Sequence, residues 1–98
     1  MSEQQWVSVV DDDESLRTAL VRLFRSVGIL ARGFGSAEEF LGRPDGPEPA
    51  CALLDIHLGT GLNGYELKER LESEGRAPPI VFMTAHAELP MRMLQDPA

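Results

Sequence analysis

The chain is poor in cysteine, lysine and long apolar runs, and each shortage excludes something. Its 98 residues hold one cysteine, Cys51, so no intrachain disulfide can form. Cys51 falls in a predicted strand, where a free thiol is expected to be buried and inert. Lysine occurs once, at Lys68. Lys and Arg together number 9 against 16 Asp and Glu, a net charge of -7. A domain with that balance lacks the basic field that direct nucleic-acid or anionic-membrane binding requires. No apolar stretch approaches the roughly 20 residues that cross a bilayer. The opening Ser2-Glu3-Gln4-Gln5 lacks the charged-then-apolar pattern of a secretory signal. The expectation is a soluble, cytoplasmic protein with no membrane contact. The two histidines, His57 and His86, have no cysteine or third histidine near them. Zinc sites use three or four such ligands, so zinc is not expected.

What is present is enough apolar residue, 43% of the chain, for one ordinary core. Trp6 to Val10 is a short, nearly continuous apolar run and reads as a buried central strand. Asp11 to Asp13 end it and offer a helix N-cap. Leu16, Leu20, Leu23, Phe24 and Val27 follow at helical spacing, and Gly28 stops the helix. Ile29 to Phe34 reads as a more polar edge strand. Ser36-Ala37-Glu38-Glu39 is a capping-box pattern that opens a short helix carrying Phe40 and Leu41. Residues 42–49 contain three prolines and form a loop. Ala50 to Leu54 is the third strand.

Asn63-Gly64-Tyr65-Glu66 repeats the capping signal, and Leu67 and Leu71 face inward from the helix that follows. Glu66 with Arg70 and Lys68 with Glu72 are charge pairs at i,i+4. Gly75 and Pro78-Pro79 end this helix. Ile80 to Met83 is a fourth strand ending at Thr84, and Leu89 to Gln95 is predicted to form a short helix. Strands alternating with helices imply an α/β fold with a parallel sheet covered on both faces. The flavodoxin-like order, 2-1-3-4 for the strands present, would bring Asp11, Asp12, Asp55 and Thr84 to one rim. Asp55 follows an apolar run at a strand end, and a Gly-rich loop, Gly59-Thr60-Gly61-Leu62-Asn63-Gly64, follows it closely. Carboxylates gathered there repel one another unless a proton or a divalent cation neutralises them.

These motifs, in this order, resemble the receiver domain of two-component response regulators, a CheY-like fold, over about Val7 to Met91. Val10-Asp11-Asp12-Asp13 with Leu16-Arg17 and Leu20 resembles the family's first acidic motif. The Arg17 spacing makes Asp11 and Asp12 the acidic pair and Asp13 the residue after it. Leu53-Leu54-Asp55 resembles the phosphoacceptor strand, and Met83-Thr84-Ala85-His86-Ala87 the fourth-strand switch motif. The string Thr84 to Met91 is similar to receivers whose output is a helix-turn-helix DNA-binding domain.

The resemblance implies a phosphorelay switch rather than an enzyme. A histidine kinase would phosphorylate Asp55. Mg²⁺ would be held by Asp12 directly, Asp11 through water, Asp55 and the backbone carbonyl of His57. Thr84 would contact the phosphoryl group and carry the signal to an output domain outside this chain. The family's proline four residues after the phosphoacceptor is replaced by Gly59, and the glycine expected eight after lies nine after, at Gly64. The loop is therefore one residue longer, which implies an altered phosphorylation lifetime. The family's lysine at the end of a fifth strand has no counterpart here, since Lys68 lies mid-helix. The expectation is a single receiver domain over residues 1–98, lacking the fifth strand and fifth helix, whose exposed Ile80–Met83 edge favours self-association. Two alternatives stand beside this reading. One is an incomplete receiver acting as a protein interaction module. The other is a haloacid-dehalogenase-like phosphatase fragment, with its nucleophile among Asp11 to Asp13.

Overall fold

The computed structural model describes residues 5–83. Thr84 and the predicted helix at Leu89 to Gln95 lie outside them. The described elements run β1 (Trp6–Val10), α1 (Glu14–Ser26), β2 (Leu30–Phe34), α2 (Ala37–Leu41), β3 (Cys51–Asp55), α3 (Gly64–Ser73) and β4 (Ile80–Met83). The four strands form one parallel sheet in the order β2-β1-β3-β4. This is the expected order. The third strand starts and ends one residue later than its apolar run, because Asp55 itself pairs with Met83 in the ladder. That shift matters: it holds the Asp55 backbone in the sheet rather than in a loop.

Alternation along the strands divides the core. Trp6, Val10, Ala52 and Leu54 point to one face and pack on Ala37 and Phe40 of α2 and on Leu67 and Leu71 of α3. Phe34 bridges the aromatic part of this core, 6.2 Å from Trp6 and 5.2 Å from Phe40 between ring centres. The Trp6 indole N–H donates to the Pro47 carbonyl at 2.9 Å, so the proline-rich loop closes over the start of β1. Val9 and Ala31, both buried, alternate to the opposite face, where α1 lies along β2 and β1.

Helix α1 has the expected length but a rotated contact stripe. Its half-buried apolar residues are Leu16, Leu20, Val21 and Phe24, and none is fully buried. Leu23 and Val27, expected inside, are 60% and 66% exposed. The contact line runs in steps of four from Leu16, and Leu23 and Val27 lie just off it. Cys51, expected buried, is half-buried on β3.

The helix ends follow their local signals. Gly28 and Gly75 take φ of 85° and 68°. Each lets the next residue reach back into the last turn, Ile29 N–H to Phe24 O at 2.9 Å and Arg76 N–H to Leu71 O at 2.8 Å. Asn63 and Glu66 form a reciprocal capping box at the start of α3. Glu66 is therefore committed to the cap. Arg70 pairs with Glu74 at 3.0 Å instead of with Glu66, while Lys68 pairs with Glu72 at 2.7 Å as expected. At α2, Ser36 caps the Glu39 N–H, but Glu39 reaches back to Gly35 rather than to Ser36.

Candidate functional site

Strands β1 and β3 are neighbours, with Val10 opposite Leu54. The next residue on each, Asp11 just past β1 and Asp55 at the end of β3, therefore lies at the same level. One carboxylate oxygen from each of Asp11, Asp12 and Asp55 lies within 4.8 Å of the others. Asp11 is 1% and Asp55 9% exposed, while Asp12 is open to solvent. They line an open pocket of about 400 Å³ together with His57, Gly59 and Leu16.

The three consecutive aspartates divide their work. Asp13 Oδ1 accepts from the Ser15 and Leu16 N–H groups at 3.0 and 3.2 Å and so caps α1. Asp11 Oδ1 accepts from the Asp13 N–H at 2.8 Å, which turns its carboxyl inward. Arg17 Nη1 donates to the Asp11 carbonyl at 2.7 Å. It reaches there across β2 at Gly33, where an added Cβ would lie 2.8 Å from Arg17 Cγ. Asp55 Oδ1 accepts from the His57 N–H at 3.1 Å, so the loop begins by orienting that carboxylate. Burial pushes the Asp11 carboxyl up from the ordinary carboxylate range. The Asp13 N–H partly opposes this, and the neighbouring carboxylates of Asp55 and Asp12 add to it.

The Gly-rich loop is held at both ends. Gly64 N–H donates to the Ile56 carbonyl at 2.9 Å. A Cβ on Gly64 would lie 2.4 Å from the Asp55 carbonyl oxygen, so only glycine fits there. Between Asp55 and Gly64 the loop turns at Gly59 and Gly61, which adopt φ of 77° and 91°. From α2, Glu38 Oε2 accepts the Leu62 N–H at 3.1 Å. That contact, and its own backbone N–H, hold the Glu38 carboxyl below its usual range.

A set of hard oxygen donors of one sign, crowded and half-buried, fits a hard divalent cation. A profile of the response regulator receiver domain matches residues 7–95. The chain belongs to the response regulator receiver family. Nodulation protein W of Bradyrhizobium diazoefficiens is 41% identical to it over 85 residues. The C4-dicarboxylate transport transcriptional regulatory protein DctR of Rhodobacter capsulatus is 37% identical over 87 residues. Each alignment covers 87% of this chain but only 37% and 44% of those relatives, so the chain spans less than half their length. Among solved structures, response regulator StyR superposes with a TM-score of 0.78 at 38% identity, covering 95% of this chain and 48% of that one. A receiver protein from Burkholderia phymatum gives 0.72 at 41% identity, covering 92% and 73%. Receiver domains are signalling domains of two-component systems, and the sheet order seen here is theirs.

The receiver brings together Asp11, Asp12 and Asp55, with His57 on the same pocket. Thr84 lies outside the described residues, although Met83 before it pairs with Asp55. Lys68 sits on α3 and is engaged with Glu72. The residue that sequence reasoning missed is Glu38. It was legible as part of a capping pattern, but nothing in the linear order ties it to Leu62, 24 positions on. Among the described residues no helix is long and apolar enough to cross a membrane.

Proposed function

We propose that this chain is one receiver domain that accepts a phosphoryl group on Asp55 and signals through the change in charge. The observation that carries the reading is the convergence of the Asp11, Asp12 and Asp55 carboxylates at the rim of β1 and β3. The donor is a phosphohistidine on a histidine kinase. An Asp55 carboxylate oxygen attacks phosphorus and the P–N bond breaks. Its electron pair stays on the imidazole, which takes up a proton. Asp11, Asp12, Asp55 and the His57 carbonyl would hold Mg²⁺, which when bound offsets the repulsion between an anionic nucleophile and an anionic phosphoryl group. The chain's own residues prepare that site. The His57 N–H fixes one Asp55 oxygen, and the Asp13 N–H and Arg17 fix Asp11. Thr84, next after β4, is the proposed phosphoryl contact and switch residue.

The division of labour among the aspartates supports a switch over a hydrolase. A hydrolase of the alternative type would use a second aspartate two residues after its nucleophile. Asp13, two after Asp11, is an exposed helix cap. The reading places the domain in the cytoplasm, with a kinase upstream and an output domain, DNA-binding in transcriptional relatives, downstream.

Acetyl phosphate with Mg²⁺ tests it by intact mass. The expected result is a gain of one phosphoryl group that Asp55→Asn abolishes. A label that survives Asp55→Asn and disappears in Asp11→Asn would favour the hydrolase.

A further inference from the structure

The loop between Asp55 and α3 is one residue longer than the family pattern, and its middle depends on a contact from outside. Its start is tied by the Asp55 and Ile56 contacts, its end by the Asn63 and Glu66 cap. Leu58 is buried between them. Gly59, Thr60 and Gly61 lie between Leu58 and Leu62, two of them glycines at positive φ, where backbone freedom is greatest. Across this stretch lies the Glu38 carboxylate of α2. It accepts the Leu62 N–H at 3.1 Å, and a Cβ on Gly61 would come 2.8 Å from its Oε2. The other side of the stretch abuts the acidic cluster. A Cβ on Gly59 would lie 3.4 Å from Asp12 Oδ2. Glu38 thus flanks the stretch at Gly61 and Leu62, and Asp12 flanks it at Gly59.

We propose that Glu38 is a positioning residue for Asp55 chemistry: it pins the lengthened glycine loop beside the carboxylate cluster and thereby limits how fast water reaches a phosphoryl group on Asp55. The inference rests on the phosphoacceptor reading above and adds a determinant of its lifetime. Loss of the signal is hydrolysis. A water oxygen attacks phosphorus, the P–O bond to the Asp55 carboxyl breaks, and the Asp55 carboxylate and inorganic phosphate result. Loop residue Gly59 lines the open pocket that Asp55 also lines. Glu38 is on the surface and Leu62 only half-buried, so the clamp can be removed without opening the core.

The full chain, labelled with acetyl phosphate and Mg²⁺ and then freed of the donor, gives the test. Loss of the phosphoryl group is followed by intact mass in wild type, Glu38→Ala, Glu38→Gln and Glu39→Ala. Glu38→Gln keeps an acceptor oxygen for the Leu62 N–H. Glu39→Ala removes a neighbouring surface contact of α2, to Gly35, that does not touch the loop. The expected result is hydrolysis roughly five-fold faster in Glu38→Ala, with Glu38→Gln and Glu39→Ala within about two-fold of wild type. Wild-type hydrolysis in Glu38→Ala, or equal acceleration in Glu39→Ala, overturns the inference while leaving Asp55 as the acceptor. A wild-type chain that takes no label at Asp55 overturns the phosphoacceptor reading itself, and the inference falls with it.

Discussion

Gly64 packs so closely on Asp55 that a single added methyl group would lie 2.4 Å from the Asp55 carbonyl oxygen. The obstacle is backbone within the sheet, which cannot swing aside as a side chain would. Gly64→Ala is therefore expected to destabilise the fold by about 1–3 kcal/mol, the usual cost of overpacking. Thermal unfolding followed by circular dichroism checks this. At about 4–8 °C per kcal/mol for a domain of this size, an unchanged melting temperature would show that the loop yields more easily than the geometry allows.

Asp11 illustrates a site kept at a cost. Its carboxyl is buried beside two others, and in the absence of a cation their repulsion opposes folding. Asp11→Asn keeps the oxygen that accepts the Asp13 N–H and removes one charge. The expected outcome near neutral pH, with a chelator present, is a gain of about 1 kcal/mol, or roughly 4–8 °C. Added Mg²⁺ should raise the melting temperature of wild type and do much less for the variant, since a ligand stabilises only the state that binds it. Equal Mg²⁺ gains in both proteins would remove Asp11 from the ligand set.

The Glu38 clamp has a pH signature of known sign. The Leu62 N–H holds the Glu38 carboxyl below its ordinary pKa in the folded chain. A depressed folded value means that the charged form favours folding. The contribution is present above the unfolded pKa and is lost as pH falls through the folded one. Urea unfolding between about pH 6 and about pH 3 should therefore show a shallower acid-side decline for Glu38→Gln than for wild type. Parallel declines would mean that the charge contributes nothing through Leu62.

The two helix surfaces should respond unequally to truncation. Leu71 is fully buried on α3, whereas Leu23 on α1 is 60% exposed. Leu71→Ala is expected to cost about 2–5 kcal/mol. Leu23→Ser is expected to stay within about 0.5 kcal/mol of wild type. Denaturant unfolding of both variants separates them. A large cost at Leu23 would show that the apolar spacing first read along α1 is the true contact line.

Much of this was legible in the residues because short-range rules governed it. The apolar runs at β1, β3 and β4, the cap at Asn63 and Glu66, and the stops at Gly28 and Gly75 are each set by neighbours within a few positions, and each formed where expected, β3 one residue later. The meeting of Asp11, Asp12 and Asp55 followed from strand order plus the family pattern. What was not legible depends on distance along the chain. Leu23 and Val27 fit a helical stripe, yet the register of a helix on its sheet is decided by packing that periodicity does not encode. Arg70 had two acids within reach, and it turned to Glu74 because the cap had taken Glu66. Glu38 looked like one more acid in a first helical turn, and only the folded loop shows what it touches.

Strand β1 has partners on both sides, β2 and β3. Its amides, Val9 above all, should be among the last to exchange with deuterium. The floor beneath the three aspartates is thus sheet paired on both sides, while the glycine stretch beside them is held from outside by Glu38 at Leu62. A new charge at that rim would find little give below it, and any motion it provokes would spread sideways through the loop toward α2 and α3.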